Sequence, residues 1–193
     1  MSSHRDPATT TTKDRLLEAA VVCLQRQGYA ATTARDIASE AGANLRSIGY
    51  HYGSTRGLLL AAISANWRRW LAPLIAAASS DARSPEERLV EGMALFSTAL
   101  SENAPMVHAW LEAVTLAPRD AELQATLATN QQEFRAALAA NLAAAGQPEA
   151  DSRAGAIITV CDGLIVDFLL YGEARRPKDI AREAAAALAQ LGE

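Results

Sequence analysis

Apolar residues recur at three- and four-residue spacing along most of the chain, and that spacing predicts helices throughout. From Lys13 to Gln27 the positions Leu17, Ala20, Val21 and Leu24 form one stripe, and Gly28 ends it. Thr32 or Thr33 can cap a short helix from Ala34 to Ala41, whose inward positions are Ile37 and Ala38. Gly42 supplies the corner that follows, and Asn44 can cap a second short helix from Leu45 to about Tyr52. After Gly53-Ser54 a long helix begins near Thr55. It carries Leu58, Leu59, Ala62, Ile63 and Trp67 towards Ala78, and Pro73 is expected to kink or break it.

Beyond a polar connection, Ser84-Pro85-Glu86-Glu87 combines a capping hydroxyl, a first-turn proline and acids at the positive helix end. The helix it opens has Leu89, Met93, Phe96 and Leu100 on one side. A shorter helix from Pro105 holds His108, Trp110, Leu111 and Val114, until Ala117-Pro118 stops it. Asp120 to Ala145 repeats the pattern through Leu123, Leu127, Phe134, Leu138 and Leu142, ending at Gly146-Gln147-Pro148. A very apolar helix from about Glu149 to Tyr171 and an alanine-rich one from Lys178 to Leu191 complete the chain. The pattern predicts an all-α protein of about nine helices, three small and N-terminal, the rest in a larger body.

Composition narrows this further. Half of the 193 residues are hydrophobic, enough for a sizeable core. Cys23 and Cys161 lie too far apart in sequence for a metal-ligand spacing, and neither a disulfide framework nor any metal or cofactor is indicated, as suits a reducing cytoplasm. No run of about 18 uninterrupted apolar residues argues for a membrane span. Met1 to Thr12, polar and threonine-rich, reads as a disordered arm. The net charge is −4, but seven basic and five acidic residues up to Leu60 leave that stretch at +2 and the remainder at −6. A mildly basic head on an acidic body suits a protein that meets phosphate with one end only.

Two short helices about a glycine corner outline a helix-turn-helix, whose second helix enters the DNA major groove. Such a helix needs side chains that reach base edges, flanked by groups that anchor to phosphate. Leu45, Arg46, Ser47 and Gly49 are the outward candidates, with Ile48 turned inward. Arg46 could pair with guanine through its two-pronged guanidinium or touch phosphate. Thr33 and the free N–H groups at the start of its helix are further phosphate anchors, and Asn44 lies at the mouth of the reading helix.

The run from Lys13 through Leu60 resembles the DNA-binding domain of the tetracycline-repressor (TetR) family. The resemblance rests on Ala19-Ala20, Gly28-Tyr29, Thr32-Thr33, Ile37-Ala38, Gly42, Tyr50-His51-Tyr52 and Gly53-Ser54 in one register. It implies that Tyr50 and His51 hold the DNA backbone, while Tyr52 stands where the family usually has phenylalanine and packs. Two residues depart from the pattern. Gly49 replaces a frequent tyrosine or asparagine, and Thr55 replaces a common lysine whose charge Arg56 can supply. The resemblance further implies a head at residues 13–54 and an effector-binding, dimerising body at 55–193. The partners would be a double-stranded operator, a second copy of the chain and a small, mainly apolar effector that releases it from a palindrome.

In the body, Trp67, Met93, Phe96, His108, Trp110, Phe134 and Cys161 are candidates either for lining an effector pocket or for ordinary core. Gly163, Asp167, Leu170, Ala184, Ala187, Leu188 and Leu191 fall on the last two helices, which the resemblance pairs with a partner subunit. Asp162 and Asp167 interrupt an apolar helix, where a carboxylate is exposed at an edge, paired across the dimer or turned to a ligand. Two other classes compete. An effector-independent DNA-binding protein would show weak sequence preference. A helical enzyme could use His108 and Glu112, four apart on one face, but the chain has no repeated Glu-x-x-His, phosphate-binding glycine loop or nucleophile elbow.

Overall fold

Each helix of the head begins with a side chain that satisfies its free N–H groups. In the computed structural model, which describes residues 11–78 and 84–172 together with 179, 182, 183 and 186, α1 spans Thr12–Gln27. Thr11 accepts from the Asp14 N–H at 3.2 Å, and the Asp14 carboxylate accepts from the Thr11 N–H and hydroxyl in return. Thr11 and Thr12, expected to lie in an N-terminal arm, belong instead to this first turn. Residues 1–10 lie outside the described residues. Helix α2, Ala34–Glu40, starts with the same reciprocal pairing between Thr33 and Asp36. Helix α3 is Arg46–Tyr52, and Asn44 serves it by accepting from the Arg46 N–H at 2.9 Å.

Helix α4, Thr55–Ala78, continues through Pro73 without the expected break. It is followed by α5 (Pro85–Glu102), α6 (Ala104–Leu116), a short 3-10 turn at Ala117–Arg119, α7 (Ala121–Ala144) and α8 (Ala150–Tyr171). The described residues thus hold eight α-helices and no strand. The ninth predicted helix, with Ala184, Ala187, Leu188 and Leu191, falls mainly on positions outside them.

Helix α4 is the spine. It packs against α1 and α3 at its start and against α5 and α7 further along, so head and body share one element. Its inward residues Leu58, Leu59, Leu60, Ala62, Ile63, Trp67, Trp70 and Leu71 join a single apolar core running from Leu16 in α1 to Ile165 in α8. Each such side chain, fully buried, contributes about 1.5–3 kcal/mol. Helix α8 is long and apolar enough to cross a membrane by length and composition, yet it packs as a bundle helix. Ala154, Ile157, Ile158, Cys161, Leu164 and Ile165 are buried, and its contacts are with α7 and α5.

Candidate nucleic-acid interface

The geometry of α2 and α3 follows from three small inward residues. Ile37 and Ala38 on α2 and Ile48 on α3 are buried against α1 and α4. The chain turns between them at Gly42, whose φ of 56° is a left-handed value that glycine adopts without strain. Burying Ile48 turns the opposite side of α3 to solvent. There Arg46, Gly49 and Tyr50 lie three and four residues apart on one face, with Leu45 just ahead of them. Tyr50 is 86% exposed and Leu45 48%, whereas Ile48 is 2% exposed.

His51 is half-buried, its ring edge-on to that of Tyr50 with centroids 4.9 Å apart. Ser47 is also half-buried, at the rim of the face. Tyr52 points the other way. Its hydroxyl donates to the Lys13 carbonyl at 2.8 Å, the Lys13 ammonium lies over its ring, and burial raises its pKa. Arg46 is exposed and forms no ion pair with any other described residue.

Two expected phosphate anchors are otherwise engaged. The Thr33 hydroxyl donates its one proton to the Asp36 carboxylate at 2.6 Å, so its capping role uses the hydrogen a phosphate contact would need. Arg56, expected to restore a lost phosphate-binding charge, instead faces the body. Its guanidinium pairs with Asp120 and, at 2.6 Å, with Glu122. The Arg56 guanidinium, with the Leu123 N–H second, holds the Asp120 carboxyl below its ordinary range, so the pair is charged at neutral pH.

A second head-to-body link was not foreseen. The Glu112 carboxylate on α6 accepts from the Tyr29 N–H at 2.6 Å and from the Ala30 N–H at 3.3 Å, at the turn that follows α1. Gly28 makes this approach possible. Its φ is 80°, and a Cβ there would collide with the same carboxylate oxygen. Glu112 is thereby committed to the turn rather than free to work with His108.

In the body, Trp67, Met93, Phe96, Phe134 and Cys161 are buried. Trp67 stacks on Trp110, with centroids 5.2 Å apart and planes 9° from parallel, and meets the edge of Phe134 at 6.4 Å. Burial pushes the Cys161 thiol well up, which leaves it an inert core group. His108 is a correction: it is exposed, while its neighbours Met106, Val107 and Ala109 carry the buried face of α6. Reading by apolar stripe passed over Trp70, one turn after Trp67, and Asn130, which occupies a core position between Leu127 and Phe134. Both are buried, 6.4 Å separates the two indole centroids, and the signal was present in the spacing.

On α8, Gly163, Val166 and Leu170 share an exposed face, with Val166 and Leu170 at 53% and 71% exposure. Asp167 is half-buried. Asp162, also half-buried, accepts from Gln131 at 3.2 Å rather than from an arginine, and burial raises its pKa.

A three-helix head with an outward-facing second helix, fused through a shared spine to a helical body, defines a helix-turn-helix regulator. The family model described as bacterial regulatory proteins, tetR family, matches residues 16–62, and that described as the tetracyclin repressor-like C-terminal domain matches residues 84–192. The chain belongs to the tetracycline-repressor family of transcriptional regulators. A curated relative, the "probable HTH-type transcriptional regulator YttP" of Bacillus subtilis strain 168, is 30% identical over 82 residues, 42% of this chain. That match spans only 40% of the relative's own length.

Solved structures extend the likeness to nearly the whole chain. A TetR-family regulator from Mesorhizobium loti MAFF303099 superposes with a TM-score of 0.77 at 15% identity, covering 93% of this chain and 96% of its own. The multidrug binding protein EbrR, solved with proflavin, gives a TM-score of 0.65 at 24% identity, covering 92% of this chain and 99% of its own. At these identities the likeness is one of fold.

Proposed function

We propose that this regulator is a dimeric repressor that leaves a palindromic operator when a small, mainly apolar ligand enters its body. The observation that carries the DNA-reading part is the exposure of Tyr50 beside Arg46 and Gly49, opposite the buried Ile48. On this reading Leu45, Arg46, Ser47 and Gly49 approach base edges, while Tyr50 and His51 hold the backbone. The head comprises residues 13–54 and the body 55–193. The exposed face of α8, together with the helix expected after it, packs against its counterpart in a second copy. Two reading helices then lie about 34 Å apart on successive major-groove faces. The protein works in the cytoplasm, where its operator is.

Coupling is supported by the link from Glu112 to the head's turn at Tyr29 and by Arg56, on the first turn of the helix that leaves the head, which pairs with Asp120 and Glu122. A ligand that shifts α6 or the start of α7 would act on both. It must bind the released state more tightly than the DNA-bound one. EbrR, whose fold this body shares, was solved with the small molecule proflavin, which favours a ligand over an effector-free reading.

The test is selection of bound genomic fragments with the full chain, followed by footprinting of Arg46→Ala and Tyr50→Ala. Each substitution is expected to weaken operator binding about tenfold or more, in line with the 1–3 kcal/mol of a good base contact. Unchanged binding by both variants would place the reading surface elsewhere. For coupling, a saturating ligand that leaves operator affinity unchanged would sink the mechanism for that ligand.

A further inference from the structure

The aromatic centre of the body carries hydrogen-bond donors that no group of the described residues receives. The indole N–H of Trp67, the indole N–H of Trp70 and the side-chain amide nitrogen of Asn130 are buried and make no hydrogen bond to any described residue. The Ser97 hydroxyl, between Met93 and Leu100 on the inward side of α5, is in the same condition. All four side chains are less than a tenth exposed. Trp67 and Trp70 lie one turn apart on α4, and their ring centroids are 6.4 Å apart. Asn130 lies one turn before Phe134 on α7, and the Phe134 ring meets Trp67 edge-on. Helix α4 packs against both α5 and α7, so the donors belong to one three-helix region.

An unpaired buried polar group costs about 1–3 kcal/mol, so a single one is uncommon in a native core and a cluster of four is a signature. Three of the four are donors only, while the Ser97 hydroxyl can also accept. An indole offers only a donor, and an amide nitrogen offers two. The fully buried polar residues are Thr32, Asn66, Ser97 and Asn130, none of them charged, and the half-buried Asp162 is already held by Gln131. The surrounding surface is flat and aromatic, supplied by Trp67, Trp110 and Phe134.

We infer that the ligand of this body is a neutral, planar, largely apolar molecule bearing at least one carbonyl-type acceptor, which takes hydrogen bonds from the Trp67 and Trp70 indoles and the Asn130 amide. The inference rests on the reading of the body as a ligand-binding domain and specifies what that domain selects. Stacking supplies most of the binding energy and the acceptor supplies selectivity, because a guest without it leaves the donors buried and unpaired. A planar cation is disfavoured because its own N–H donors would meet two indole N–H groups and an amide nitrogen, none of which accepts.

The test uses three tricyclic probes of nearly equal size: xanthone, which has a carbonyl; xanthene, which lacks it; and proflavin, a cation. All three tryptophans of the chain, Trp67, Trp70 and Trp110, lie in this cluster, so intrinsic fluorescence of the full-length protein reports on it, and calorimetry gives the affinities. Xanthone is expected to bind about tenfold tighter than xanthene, the factor set by pairing one otherwise orphaned donor. Proflavin is expected to bind more weakly than xanthone. In Asn130→Leu the preference for xanthone should shrink, and the melting temperature should stay level or rise because an unpaired amide has been removed.

Equal or tighter binding of xanthene, the result if internal water satisfies these donors, would overturn the inference. So would tighter binding of proflavin, no response to any of the three probes, or a marked drop in the melting temperature of Asn130→Leu. Operator affinity is measured separately with and without xanthone. A preference for xanthone with no change in operator binding leaves the recognition chemistry standing and counts against the coupling alone.

Discussion

Gly49 separates what the fold of α3 requires from what the surface of α3 is for. Its backbone is not in the left-handed region, and a Cβ added there would meet nothing within 4 Å. Alanine at this position is therefore expected to stabilise the helix by about 0.5–1 kcal/mol, seen as a higher melting temperature. Because the added methyl would sit on the face proposed to read DNA, operator affinity should fall at the same time. A variant that is more stable and binds DNA equally well would show that the groove does not approach this point. Other residues differ in how legible they were. The inward turn of Ile48 and outward turn of Tyr50 follow from helical period alone. The engagement of Arg56 did not, because its partners lie 64 and 66 residues away in sequence. His108 was misplaced because it shares a short helix with Trp110, while the buried face is set by Met106, Val107 and Ala109.

At the scale of elements, starts were readable and contacts between helices were not. The serine and threonine caps at Ser84 and Thr33 each close a reciprocal pair three residues on, a purely local chemistry. Pro73 shows the opposite case. A proline inside a helix costs about 3 kcal/mol or more, yet Trp67, Trp70 and Leu71 already anchor α4 in the core, so packing carries the helix through it. The link from α6 to the turn after α1 likewise depends on two segments brought together only by the bundle. Glu112→Ala would leave the Tyr29 N–H without its acceptor. The variant is expected to lose about 1–3 kcal/mol of stability by thermal or urea unfolding, and Glu112→Gln less, since its carbonyl still accepts. If Glu112→Ala unfolds like the parent chain, the link carries no energy. If it is destabilised yet retains full ligand control of DNA binding, the link is structural only.

For the whole molecule, the charge pattern and the face of α8 point in one direction. The stretch up to Leu60 carries +2 and the rest −6, so the ends differ in sign although the chain is acidic overall. Val166 and Leu170, over half exposed on a helix otherwise fixed to α7 and α5, suit a second subunit. Replacing both by aspartate is expected to yield monomers in sedimentation. A two-half-site operator should then bind far more weakly, while a single half-site is little changed. Persistence of the dimer would move the interface off this face.

The turn after α1 has a consequence for how the family can vary. Position 28 needs a left-handed backbone, and a side chain there would also push aside the flexible end of Glu112, so the turn and the acid that grips it are coupled. Relatives with a side chain at the position of Gly28 should have reshaped this turn and displaced or lost the acid at that of Glu112, and with it the direct grip of the body on the DNA-reading head. The fourth helix alone would then transmit the ligand's signal. Paired replacement at these two positions would mark a change in signalling route, readable from an alignment before any relative is purified.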